Sequence, residues 1–135
     1  MFMAAFLSLL LLGTSTSAAS QKNQELVLRR QVSLFYKHFS NGRYDLMWEM
    51  TSSNFKKEND NNKKAYIEHL RKAAGLKAKV QIKSISIDVV KQRATVNLIL
   101  KLWSSREKVW AEQEERNFWV FENGRWRFDY SIEAH

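Results

Sequence analysis

The chain has 135 residues, a formal net charge of +8, 44% apolar and 13% aromatic residues, four Gly, and no Pro or Cys. That length fits one domain, and the apolar content is enough for a packed core, which excludes global disorder. The missing Cys excludes a disulfide framework, a thiolate zinc site, a catalytic thiol and a lipid-carrying cysteine.

Residues 3–12 form an uncharged apolar run, followed by small polar residues and Ala18-Ala19. The run is short for a bilayer-crossing helix, which needs about 20 apolar residues. It fits the apolar stretch and cleavage zone of a secretory signal, with cleavage after Ala18 or Ala19. A membrane anchor or a buried N-terminal helix is the competing role, since no Lys or Arg precedes the run. The expected organisation is a signal peptide over 1–19 and one domain over 20–135. All 22 Lys+Arg and all 14 Asp+Glu lie beyond residue 20. The product is therefore expected to be basic, secreted or periplasmic, with no membrane span after signal removal.

From Gln24 to Ser40, Leu28, Val32, Phe35 and Phe39 recur on one helical face. Asn41-Gly42 stops that helix. Tyr44, Met47, Trp48, Thr51 and Phe55 mark a second helix. A polar turn over residues 56–62 follows, with Asp60 or Asn61 as cap of a third helix that buries Tyr66, Ile67, Leu70 and Ala74 and ends at Gly75. Beyond Gly75 the period changes to two. Val80 and Ile82 alternate in one phase and Ile85, Ile87 and Val89 in the other, which predicts a bulge near Lys83-Ser84. Lys91-Gln92-Arg93 turns the chain into a second strand with Ala94, Val96, Leu98, Leu100 and Leu102 on one face. A third strand spans about Lys108 to Glu122. Asn123-Gly124 is a type I′ hairpin signal leading into a last strand to about Ile132.

That hairpin pairs Glu122 with Arg125, Phe121 with Trp126, Trp119 with Phe128 and Asn117 with Tyr130. Cross-strand partners share a face, so Trp119, Phe121, Trp126, Phe128 and Tyr130 lie together, with Asn117, Glu115 and Gln113 further back. The other face carries Phe118, Val120, Arg125, Arg127 and Asp129. The fold class is α+β: three N-terminal helices packed on a curved four-stranded antiparallel sheet.

The stretch Phe35-Tyr36-Lys37-His38-Phe39-Ser40-Asn41-Gly42-Arg43-Tyr44-Asp45-Leu46-Met47-Trp48 resembles the opening of the nuclear-transport-factor-2-like superfamily. Ser52-Ser53-Asn54-Phe55 and the hairpin Glu122-Asn123-Gly124-Arg125-Trp126-Arg127-Phe128 resemble later parts of the same pattern. The likeness covers about residues 24–132. It implies a cone-shaped fold with a pocket at the wide end. The superfamily holds isomerases, cyclases and dehydratases beside binding domains without chemistry, so the fold does not select a function.

For a pocket on the concave face the candidate lining is Trp48, Gln113, Glu115, Asn117, Trp119 and Tyr130. Glu115 is the carboxylate that the strand pattern aims inward, where desolvation would raise its pKa and suit a general base. Its alternative is a solvated place at the sheet's end. Tyr130 is the second catalytic candidate, as a hydrogen-bond donor to a carbonyl. Asp88 and Asp129 read as surface groups. His38, His69 and His135 show no ligand spacing, so no metal is expected, and no phosphate loop, nucleotide fingerprint or Ser–His–Asp arrangement points to a cofactor.

Ile99, Trp103, Trp110, Phe118 and Val120 fall on the outer sheet face as an apolar patch that a second copy or a protein partner would cover. Residues 56–79 hold eight basic against three acidic side chains, which would attract anionic surface polymers or headgroups. Nucleic acid is disfavoured by the export signal. The leading expectation is an exported, non-catalytic binding domain, acting through a cone pocket that holds a small apolar ligand, through its outer face, or both. The alternatives are an isomerase or cyclase with Glu115 as base, and an electrostatic adaptor for anionic cell-surface polymers.

Overall fold

A computed structural model describes residues 2–130, with side chains from residue 21 onward. Four helices precede four strands: α1 (Phe2–Ser40), α2 (Tyr44–Glu49), α3 (Ser53–Glu58), α4 (Lys63–Arg71), β1 (Leu76–Asp88), β2 (Arg93–Ser104), β3 (Val109–Glu122) and β4 (Arg125–Phe128). The α+β class stands. Among the described residues no helix is long and apolar enough to cross a membrane.

Helix α1 is continuous through Ala18-Ala19, so the expected signal boundary lies inside one helix. Its Leu28, Val32 and Phe35 are buried and Phe39 packs against them, as the spacing requires. Gly42, at φ +68°, takes the left-handed turn, and the Arg43 N–H bonds back to the His38 carbonyl at 2.8 Å, closing the helix.

The expected second helix to Phe55 is in fact two. It breaks at Met50–Ser52 because that segment bonds to the end of β4 instead of to itself. Thr51 bridges Phe128 in parallel, the Phe128 N–H donates to the Met50 carbonyl, and the Ser52 N–H donates to the Phe128 carbonyl. Ser52 then caps α3, its Oγ accepting from the Phe55 N–H at 3.0 Å. The cap of α4 is Asn62, not Asp60 or Asn61, which occupy left-handed turn positions at φ 54° and 53°. Ala74 lies past the end of α4 and is exposed rather than buried.

The sheet is antiparallel in the order β1-β2-β3-β4. Its register shifts between Ile82 and Ser84, the expected bulge. This lets Val80 and Ile82 on one side of it, and Ile85 and Ile87 on the other, all pack on the core. Asn123 and Gly124 both have positive φ, and Glu122, Phe121 and Trp119 pair with Arg125, Trp126 and Phe128. The expected pairing of Asn117 with Tyr130 does not form. Strand β4 ends at Phe128, because Asp129 is drawn toward the start of α3; the expected extension beyond Tyr130 lies outside the described residues.

Trp119 is fully buried against Phe35 and Phe128, with ring centroids 5.9 and 5.2 Å away. Leu28, Val32, Met47, Val96 and Leu98 complete the centre of the core. Among the described residues the buried indole N–H groups of Trp119 and Trp126 find no acceptor. Such an unmet donor costs about 1–3 kcal/mol, so shape filling outweighs polar satisfaction at both positions.

Candidate functional sites

On the concave face the middle of the sheet is filled. Trp119 and Asn117 are buried, and the Asn117 amide donates to the Tyr36 hydroxyl at 2.9 Å. Towards the start of β3, Glu115 is half-buried and accepts a hydrogen bond from the exposed Gln113. Tyr130 has different surroundings. Its hydroxyl shares a 3.1 Å hydrogen bond with Tyr66, and its ring packs on Phe35, Phe55 and Phe128. Trp48 belongs to the same helical side, against Phe55 and Tyr66. The six residues expected to line one pocket are thus divided between the strand side (Gln113, Glu115, Asn117, Trp119) and the ring cluster beneath α3 and α4 (Trp48, Tyr130).

Asp129 is a correction to the sequence reading: it is buried, and its carboxylate accepts from Ser52 Oγ at 3.0 Å. Nearby, Glu122 accepts from the Ser53 N–H at 2.7 Å and from Ser53 Oγ at 2.8 Å. Two carboxylates therefore meet the start of α3, where free N–H groups favour negative charge. This clamp is structural, tying the last hairpin to the helices.

A cleft of about 380 Å³ opens between α3 and α4. Trp48, Phe55 and Tyr66 form its apolar lining, and Glu58, Asn59, Asp60, Asn62 and His69 its polar rim. Burial pushes the Tyr66 hydroxyl up to about 12, partly opposed by its bond to Tyr130. Sequence periodicity assigned these rings to helix interiors and missed the cleft. The available signal was Asn59-Asp60-Asn61-Asn62, four successive residues suited to turns, which separate the two helices.

The outer face carries Trp103 and Trp110 as cross-strand partners, ring centroids 5.2 Å apart. Trp110 is 46% exposed, and the Lys79 ammonium lies 5.0 Å from its ring centre. Ile99, Phe118 and Val120 are half-buried on the same face. The patch is not continuous. The Lys101–Glu112 and Asn97–Arg116 pairs lie between its parts, and an open trough of about 680 Å³ runs past Lys83, Asn97, Glu114, Arg116 and Phe118. The basic segment is dispersed as well: Lys56 and Lys57 sit on α3, Lys63 pairs with Glu49 at 3.2 Å, and Lys77 and Lys79 lie on β1. Lys101, Arg106 and Lys108, exposed around the β2–β3 turn, add charge beside the tryptophans. Ser105 Oγ donates to the Gly75 carbonyl at 3.3 Å, bringing that turn against the end of the helical half.

His38 is partly buried; desolvation, with Arg43 and Lys37 beside it and against the pull of Asp45, lowers its pKa. Among the described residues no three His, Asp or Glu side chains gather as a metal site would.

No protein-family model matches the chain, and no curated protein does. Solved structures are similar to it in fold. One described as an NTF2-like transpeptidase from Campylobacter jejuni is 14% identical, with a TM-score of 0.48 over 75% of this chain and 95% of that one. A structure described as a polyketide cyclase from Xanthomonas campestris pv. campestris is 11% identical, with a TM-score of 0.49 over 76% and 89%. An LEH-like epoxide hydrolase from M. tuberculosis is 14% identical, with a TM-score of 0.49 over 77% and 78%. They are proteins of the nuclear-transport-factor-2-like kind that the sequence resembles. At these identities the likeness is one of fold, and it brings no activity with it.

Proposed function

We propose that the chain is an exported, non-catalytic binding domain that engages an anionic surface through the Trp103–Trp110 end of its outer sheet face. The observation that carries this reading is the half-exposed Trp110, stacked on Trp103 with the Lys79 ammonium over its ring. An indole with an apolar body and one N–H suits the boundary between water and lipid headgroups. Lysines there keep their stems on the rings while their charges reach anions. Lys77, Lys79, Lys101, Arg106 and Lys108 supply five such charges against Glu107 and Glu112. The filled centre of the concave face supports binding over catalysis, and the apolar run over residues 3–12 supports export.

The test is co-sedimentation of the chain with phosphatidylglycerol-containing and purely phosphatidylcholine vesicles. The expected result is retention by the anionic vesicles alone, weakened by salt and reduced by Trp110→Ala and by the double change Lys79→Glu, Lys101→Glu. Retention unaffected by those changes would sink the assignment to this face.

A further inference from the structure

We propose that the cleft between α3 and α4 is a binding site for a small organic cation of the alkylammonium class. This goes beyond the sheet-face reading and does not depend on it. Three rings form the apolar lining: Trp48 and Tyr66 have centroids 5.3 Å apart, Phe55 and Tyr66 6.0 Å, and Trp48 and Phe55 6.1 Å. Their planes meet at 54°, 71° and 64°. The rings are thus inclined to one another around a common space instead of stacking in parallel. The face of an aromatic ring is the negative end of its quadrupole, and a cation within about 6 Å of the centroid is attracted to it.

The polar lining has the sign that completes such a site. Glu58 and Asp60 contribute carboxylates and Asn59 and Asn62 amide oxygens, while no Lys or Arg is among the lining residues. In a chain with 22 basic and 14 acidic side chains, this cleft reverses the prevailing charge. Asp60 is held at the rim by its left-handed turn, and the Asn59 amide donates to the Phe55 carbonyl at 2.8 Å, so the rim is built onto the ring that it overhangs. A volume of about 380 Å³ lies in the range of small-molecule sites.

The protein also supplies its own cation to one of the rings. The Lys56 ammonium lies 5.8 Å from the Trp48 ring centre. A ligand entering the cleft meets Lys56 as an internal competitor, so removing that charge strengthens binding.

The probe is choline, with its uncharged carbon isostere 3,3-dimethylbutan-1-ol as the reference and sodium chloride as the ionic-strength control. Titrations of the full chain are followed by NMR at the Trp48 indole and the backbone amides of Asp60, Tyr66 and His69. Choline is expected to shift these signals with an affinity at least about fivefold above the isostere's, the ratio expected for one modest ring–cation contact. The double change Glu58→Gln, Asp60→Asn weakens choline binding, and Lys56→Met tightens it, while the signals of the buried Trp119 stay in place and report an intact fold. Equal affinity for the isostere would show an apolar cleft without cation recognition and overturn the proposal. Shifts no larger than those from sodium chloride, or shifts centred on Trp110, would also overturn it.

Discussion

Replacing Ser52 with Ala should be among the most damaging single-atom deletions in the molecule, although the residue is small and carries no charge. Ser52 is fully buried, and its hydroxyl holds two bonds at once: it accepts from the Phe55 N–H at 3.0 Å and donates to the Asp129 carboxylate at 3.0 Å. Losing the first removes a helix cap, at a cost of about 1 kcal/mol. Losing the second leaves a buried carboxylate short of a donor, at a cost of about 1.5–3 kcal/mol for a bond to a charged group. The sum is about 3 kcal/mol, a large share of the roughly 5–15 kcal/mol that holds a domain folded. Urea unfolding of the parent and Ser52→Ala chains measures it, and a cycle with Asp129→Ala should show coupling of about 1 kcal/mol or more. A loss below about 1 kcal/mol, or additive effects in the cycle, would refute the view that this hydroxyl joins helix and hairpin.

Gly124→Ala should cost about 1–2 kcal/mol: the position has φ +75° but no atom within 4 Å of an added Cβ, so the loss is conformational alone. A stability change near zero in urea would contradict it. The Tyr66 hydroxyl ionises at about 12 when folded, against about 10 when unfolded. Its stabilising contribution is therefore complete below about pH 10 and lost as pH rises through about 12; phenolate absorbance during alkaline unfolding, compared with Tyr66→Phe, checks this. His38 moves the opposite way, downward through burial and then through Arg43 and Lys37. The unfolded chain takes up that proton first, so stability falls as pH drops below about 6.5 and levels off below the folded pKa. His38→Gln should flatten this slope, and an unchanged slope would refute the assignment.

The parts of the fold legible in the sequence were those set by neighbours along the chain. The alternation around Val80–Ile87 changes phase at Lys83, and the bulge sits there. Asn123-Gly124 fixed the β3–β4 register from two residues. What escaped depends on residues far apart in sequence. The break between α2 and α3 exists because Met50 and Ser52 bond to Phe128, and Asp129, which alternation sent to the surface, is turned inward to Ser52, 77 positions away. The candidate site was less legible for the same reason. Trp48, Phe55 and Tyr66 each satisfy a helical core pattern, and only the placing of α3 against α4 makes their rings one lining. The outer Trp103 and Trp110 were legible because simple alternation decides their side.

The bonds between residues 50–52 and Phe128 have a further consequence for how the sheet meets other chains. A strand at the margin of a sheet offers unpaired N–H and C=O groups to any extended peptide. At the β4 margin those groups are engaged by Met50 and Ser52, which act as a short stub of a fifth strand. The β1 margin is guarded by different means: exposed Lys77, Lys79 and Lys83 and a kink at Ile82–Ser84. Hydrogen bonding closes one border and charge with curvature guards the other, so lateral growth of the sheet into polymers is opposed on both sides.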